Sequence, residues 1–467
     1  PLAEMKNWQT GRYTRNEVSY YRFYENPYFI IDTQREKTDR NEFNILAYAK
    51  YQINDWITAT LNTGYTGATQ NFKREFGAFT YAFHVPDPYS ELDPYGARTM
   101  DEIFNSSRMN TDFLLNFDRD ITENFSFNLT LGQNIRLTNS KTVNLSGDNL
   151  IIPDFYNVST RTGDLVGSEE TQNYRKVGTY GDLTIGFNDY LFLNATARYD
   201  SSSALPANDR SFFYPGAGIS FIASDAFPGI KGDKGLSYLK GSFNITKSGN
   251  DPGAYANNPS FVAPNNNNLA YEDNSPYSFP YGTTVGLSQS NRVPDPNLGP
   301  EFTTSIEAGL EFGLFRSRLS GNVSLYKTNS TDQIIPVNVS TASGAASSLI
   351  NVGEVENKGL EIDLNGKVLR TDNFSWDVGV NYSGFKSKVL SLRDGVDQLD
   401  IGGFAAAQIV AQVGEPFPLI RTTSYERDDL GRVIVDASGD PVQSAENQVQ
   451  GKTAPDYILG LNTNIRY

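Results

Sequence analysis

Apolar and polar residues alternate along this chain with a period of two. Ile57-Thr-Ala-Thr-Leu-Asn-Thr-Gly-Tyr65 puts Ile57, Ala59 and Leu61 on one face and Thr58, Thr60 and Asn62 on the other. Segments 125–131, 191–199, 319–325 and 374–382 repeat the pattern, with Ser, Thr, Asn and Gly on the wet side. One dry face and one wet face is the signature of a β-strand. The alternation predicts strands over approximately 10–22, 41–53, 56–66, 110–121, 124–135, 176–187, 190–200, 212–223, 236–246, 302–313, 316–327, 355–368, 374–386 and 455–466.

The connections between these strands are of two kinds. Asn54-Asp55-Trp56, Glu123-Asn124-Phe125, Asn188-Asp189-Tyr190 and Asp372-Asn373-Phe374 are tight, and Asn and Asp suit the positive φ of hairpin turns. Each turn is followed by an aromatic residue: Trp56, Phe125, Tyr190 or Phe374. At a bilayer boundary these rings form an interfacial girdle. The connections over 67–109, 136–175, 247–301, 328–354 and 387–454 are long. Because successive antiparallel strands end on opposite sides, strict alternation collects every long loop on one side. The expected fold is therefore all-β: a transmembrane antiparallel up-and-down β-barrel with short periplasmic turns and long extracellular loops. A soluble sandwich or propeller has no reason to sort its loops by length.

Composition agrees. The chain has no Cys, one His, 27 Tyr, 29 Phe and a hydrophobic content of 38%. No run approaches the roughly 18–20 apolar residues of a transmembrane helix. The net charge of −15 speaks against a nucleic-acid partner and suits large solvated loops. No secretory leader is read at Pro1, and we expect both ends of the barrel domain, residues 1–467, to continue in a longer precursor.

Catalytic chemistry is not in evidence. His84 is the single histidine and sits in a loop stretch, and no Cys can join it in a metal site. Glu169-Glu170 are adjacent acids, which a strand would aim at opposite faces; we read them as solvated loop charge. Asp428, Asp436 and Asp440 flank Arg432-Val-Ile-Val435 with Asp/Gly spacing that could offer oxygen ligands to a structural calcium ion. The plainer reading is a hairpin with Asp-Gly turns. Two aromatic clusters are the best candidates for gripping a ligand or a partner protein. One is Phe76, Phe79, Tyr81 and Phe83; the other is Tyr271, Tyr277, Phe279 and Tyr281, beside Asn265-Asn-Asn-Asn268. Loop self-packing is the plainer alternative for both. No enzyme and no cofactor is expected.

A series of short motifs resembles the SusC/RagA family of TonB-dependent transporters, in that family's order. They are Asn26-Pro-Tyr-Phe29, Arg198-Tyr-Asp-Ser-Ser-Ser203, Phe213-Tyr-Pro215, Leu239-Lys240 with Gly249-Asn250, Asp295-Pro-Asn-Leu-Gly-Pro-Glu301, and Asn351-Val-Gly-Glu-Val-Glu-Asn-Lys-Gly-Leu-Glu361. Val413-Gly-Glu-Pro416 and Pro455-Asp-Tyr457 extend the likeness. The resemblance implies a roughly 22-stranded outer-membrane barrel, of which about fourteen strands are read here. It also implies a lumenal plug, a SusD-like surface lipoprotein as lid, and TonB pulling on the plug. The cargo would be an oligosaccharide or peptide. No plug, TonB box or carboxypeptidase-like extension is read in these residues. Two rivals stand beside transport: a SusC-like barrel kept as a structural or assembly subunit of a larger outer-membrane complex, and a passive porin.

Overall fold

The computed structural model describes residues 6 and 27–467, except 79–95, 153, 233–234, 259–260, 263–285, 341, 343, 346, 394 and 405. A short helix, α1 (Pro27–Thr33), leads into the sheet. Thirteen strands follow: β1 (Gln34–Asn54), β2 (Ile57–Phe76), β3 (Arg98–Thr122), β4 (Phe125–Gly147), β5 (Val166–Phe187), β6 (Leu191–Ser202) and β7 (Ser211–Ile222), then β8 (Leu236–Asn250), β9 (Glu301–Leu314), β10 (Leu319–Thr331), β11 (Glu354–Arg370), β12 (Ser375–Ser391) and β13 (Tyr457–Arg466). They form one antiparallel sheet in chain order, with β1 and β13 at its edges. The expected strand over 10–22 lies outside the described residues. The other thirteen expected strands are present.

Register turns the alternation along each strand into rows across the sheet. Phe127, Ile185, Leu193, Ile219, Phe243, Ala308, Leu325 and Leu360 are successive neighbours from β4 to β11. The adjacent row is Asn128, Thr184, Asn194, Gly218, Asn244 and Glu307. The apolar row is largely open to solvent in the isolated chain, with Leu193 49% and Leu325 57% exposed. A continuous apolar band of this kind needs an apolar medium against it, and hydrocarbon supplies one.

The strands run further than the alternation predicts, chiefly at the long-loop end. β2 continues to Phe76 where 66 was expected, β3 begins at Arg98 where 110 was expected, and β4 ends at Gly147 where 135 was expected. Both faces of these extensions are wet, so no apolar alternation marks them. Cross-strand charge pairs occupy them instead: Arg74–Glu36 at 2.6 Å, Lys73–Asp101 at 3.2 Å and Lys141–Glu169 at 2.9 Å. Glu169 and Glu170 therefore stand on β5, not in a loop.

The tight turns differ from expectation too. Only Asn188 and Asp189 adopt positive φ among the Asn/Asp turn residues named above. Elsewhere a side chain closes the turn. Asn54 Oδ1 accepts the amides of Trp56 and Ile57 at 3.0 and 2.8 Å. Thr122 Oγ1 accepts those of Asn124 and Phe125, each at 3.2 Å. Between β9 and β10 three consecutive residues, Phe315, Arg316 and Ser317, take φ of 56°, a turn the composition does not signal.

The long loop after β12 carries a four-stranded sheet of its own, built from Gln398–Phe404, Ala407–Gln412, Leu419–Thr422 and Gln448–Lys452. It packs on the barrel end through Val389, Val355 and Ala411. The Val413-Gly-Glu-Pro416 motif makes the join: Gly414 N donates to Val389 O at 2.8 Å, and Val389 N donates to Glu415 O at 2.9 Å.

If the apolar face meets lipid, Leu325→Arg in the full-length protein reconstituted in bilayers should cost about 2–4 kcal/mol near mid-bilayer. Asn322→Arg, three residues away on the wet face, should cost less than about 1 kcal/mol. Urea unfolding midpoints compare the two, and equal costs would mean that the apolar face does not touch hydrocarbon.

Candidate functional site

Among the described residues the wet face holds one buried charged network, at the long-loop end of β5 to β8. Lys176 on β5 contacts Asp251 at 2.8 Å and Asp200 on β6 at 3.4 Å. Arg198 on β6 holds the other oxygen of Asp200 at 2.8 Å. Tyr174 OH donates to Asp251 at 2.8 Å, the Ser202 hydroxyl donates to the same carboxylate, and Tyr214 OH donates to Asp200. Asp200 and Asp251 keep only 1% and 4% of their side-chain surface. Buried carboxylates are tolerated because each has a cation and hydroxyl donors. Gly178 makes room, since a Cβ there would lie 2.2 Å from Asp200 Oδ1.

Pro215 explains why the network is there. β7 and β8 pair from Gly216↔Thr246 to Ile222↔Lys240 and no further. Pro215 has no amide hydrogen to continue the ladder, although it still sits opposite Ala197 on β6. Above Pro215 the wall has a seam without backbone pairing between β7 and β8. Side chains fill it. Buried Phe212 lies against Gly249, where a Cβ would come within 2.7 Å of the ring. Lys176 sits 5.0 Å over the Phe212 ring, and Phe302 meets that ring edge-on at 6.3 Å. Asp251, the first residue beyond β8, then bridges back across the seam to β5 and β6.

The other motif residues fasten loops in a similar way. Glu301 accepts from Asn250 Nδ2 at 2.7 Å and from the Ile334 amide at 3.2 Å. Asn351 accepts from Gly299 N at 2.6 Å and donates to Gly299 O and Asp332 O at 3.0 and 2.8 Å. Asn257 pairs with the backbone of Asp295, and Leu298, three residues further on, is fully buried. Motifs far apart in sequence thus meet where the loops leave the wall. Sequence reading found the motifs but not this meeting.

The ligand candidates fare differently. Phe79, Tyr81, Phe83, Tyr271, Tyr277, Phe279, Tyr281 and His84 lie outside the described residues. Phe76 ends β2 with Arg98 stacked 4.5 Å over its ring. At the tight-turn end, Trp56 contacts Phe117 at 6.1 Å. Phe125, Phe187, Tyr190, Phe221 and Phe227 form an unbroken chain of ring contacts between 4.9 and 6.2 Å. Phe374 stands immediately before β12 and turns there, its amide bound by Thr371 Oγ1 at 3.1 Å.

Asp428 and Asp436 spend their carboxylates on turns. Asp428 Oδ1 accepts the amides of Leu430 and Arg432, and Asp436 Oδ1 those of Ser438 and Asp440, all within 2.8–3.0 Å. Arg432 takes the remaining Asp428 oxygen at 2.7 Å and holds that carboxyl below the usual range. Gly431 and Gly439 supply the positive φ of the two turns. The segments close on themselves instead of stopping at a hairpin. Ile434 N donates to Glu426 O, Val442 N to Ile434 O and Glu426 N to Val442 O, at 2.8, 3.0 and 2.8 Å. No cluster of three or more metal-ligating side chains occurs among the described residues.

A family described as TonB dependent receptor-like, beta-barrel, matches residues 4–467, and the chain belongs to it. It is an outer-membrane β-barrel of a transporter family, not an enzyme. Among curated relatives, TonB-dependent receptor P26 of Formosa agariphila is 24% identical over 95% of this chain and 45% of its own length. TonB-dependent receptor SusC of Bacteroides thetaiotaomicron is 26% identical over 62% of this chain and 30% of its own. The chain thus spans less than half the length of these relatives. The structure of the RagAB peptide transporter superposes with a TM-score of 0.77 at 18% identity, covering 95% of this chain and 48% of that one.

Asp251 lies beyond the strands and offers a pH test. Burial opposes its ionisation, but hydrogen bonds from Lys176, Ser202 and Tyr174 and the Lys176 charge outweigh that and hold its carboxyl below the usual range. A lowered folded value stabilises the fold above the unfolded value of about 3.9 and loses that contribution as pH falls through the folded one. Asp251→Asn should therefore cost the full-length protein about 3 kcal/mol at pH 7. The gap to wild type in urea midpoint should close as pH drops toward about 2. A gap that persists unchanged at low pH would assign the loss to packing instead of charge.

Proposed function

We propose that the full-length protein is a SusC-like importer that draws nutrient oligomers across the outer membrane, with TonB supplying energy and a SusD-like lipoprotein covering its mouth. The observation that carries this reading is the water-facing wall. One of its rows runs from β4 to β9 as Asn128, Thr184, Asn194, Gly218, Asn244 and Glu307 without an apolar break, and its loops are pinned together on one side. Such a surface suits the passage of hydrated, hydrogen-bonding cargo. Membership of a TonB-dependent family favours energised import over passive diffusion. Likeness to SusC and to a peptide transporter supports an oligosaccharide or peptide as cargo. The aromatic chain at the tight-turn end fits an interfacial girdle against lipid headgroups.

Two measurements test this reading. Mass spectrometry of the detergent-purified native complex should find one SusD-like lipoprotein bound to the full-length chain. Uptake of fluorescently tagged oligomers into cells should cease when the TonB box is deleted or the proton gradient is collapsed. Uptake that survives both treatments would make the protein a porin. A complex of several unrelated envelope proteins without uptake would make it a scaffold.

A further inference from the structure

Beside the charged network the wall contains a cavity of about 380 Å³, lined by Arg136 and Thr138 of β4, Gln172, Tyr174 and Lys176 of β5, and the turn that begins at Asn250. Its polar groups are incompletely used. Arg136 Nε and Thr138 Oγ1 are both buried and neither has a hydrogen-bond partner among the described residues. Removing a guanidinium N–H and a hydroxyl from water without replacement bonds is costly, and more so for a charged group. Arg136 is held only from the side, its guanidinium 5.8 Å over the Tyr174 ring. Lys176 cannot be drawn away to complete the site, because Asp200 and Asp251 already engage it.

Other carboxylates on this face are occupied elsewhere. Glu170 accepts from Gln172 at 2.7 Å, and Asp112 accepts from Asn110 and Asn134 at 3.1 and 2.8 Å. Register puts a second cation next to the cavity: Arg108 on β3 stands directly opposite Thr138 and diagonal to Arg136. The gap thus presents a planar cationic donor, a hydroxyl and a neighbouring guanidinium, with no anion of the described chain in contact with Arg136. Planar guanidinium forks match carboxylates in two-point contacts.

We propose that this cavity is a binding site for a carboxylate carried by the imported oligomer, held by Arg136 with Thr138 and with Arg108 at its edge. The site would favour acidic cargo: peptides with Asp or Glu, or uronic-acid oligosaccharides. This rests on the import reading above, but its test is made by binding alone, so that loss of uptake with binding intact would sink only the import reading.

Full-length protein in detergent is titrated calorimetrically with penta-glutamate and with tri-galacturonate, each against a neutral counterpart, penta-glutamine or tri-galactose. At least one acidic probe should bind about tenfold or more tightly than its counterpart. Which acidic probe does so tells peptide from sugar. Arg136→Gln should erase that preference while leaving the neutral probe unchanged, and Thr138→Val, a milder change, should reduce it. Equal binding of acidic and neutral probes in both pairs would overturn the proposal, as would a preference that survives Arg136→Gln. A third outcome also overturns it: no acidic probe binds, and Arg136→Gln lowers the thermal midpoint of the full-length protein in the absence of any probe. The carboxylate would then be supplied by another part of the same protein.

Discussion

Hydrocarbon offers no hydrogen bonds, and the architecture follows from that constraint. Every amide and carbonyl crossing the apolar zone must find its partner within the protein. A sheet built strand by strand in chain order does so with mostly short turns at one end. The dry rows then follow from register alone, because a slip of one residue would turn each apolar set toward water. Phe127, Ile185, Leu193, Ile219 and Phe243 can line up across five strands only because the ladders between them are unbroken. Where the wall rises into water the constraint relaxes, and charge pairs replace the apolar rows.

The seam above Pro215 marks the change of regime. Inside the bilayer a missing donor would be severely penalised. At the long-loop end it is tolerated because Asp200, Asp251, Lys176 and Arg198 close the gap by ionic and hydroxyl contacts. Those contacts also tie Asp251, the residue that begins the long connection between β8 and β9, to a strand three places away. The charged network is thus both a patch in the wall and an anchor for what stands above it.

Much of this was legible in the sequence, for a physical reason. Alternation records the presence of two different media, so every strand segment inside the bilayer announced itself, and loop sorting announced the topology. The strand extensions were not legible, because residues such as Arg35 to Glu42 have water on both sides and no reason to alternate. The turns were half legible: Asn and Asp are where they were expected, but Asn54 works through its side chain and not through its φ. The motifs signalled importance without signalling place. Nothing in Arg198-Tyr-Asp200 or Gly249-Asn250-Asp251 says that the two segments will share a lysine. The unbonded Nε of Arg136 left no trace in the sequence at all, since its isolation is set jointly by β3, β4, β5 and the turn after β8.

A wall held by backbone ladders has a fixed circumference, because strand spacing is the same whatever the side chains are. The upper part of the β7–β8 junction is held by side chains instead. Its width depends on the size of Phe212, the bareness of Gly249 and the reach of Asp251. The aperture of the outer mouth is therefore encoded locally, in a few interchangeable residues. It can be widened or narrowed by point substitution while the membrane-spanning girth stays constant.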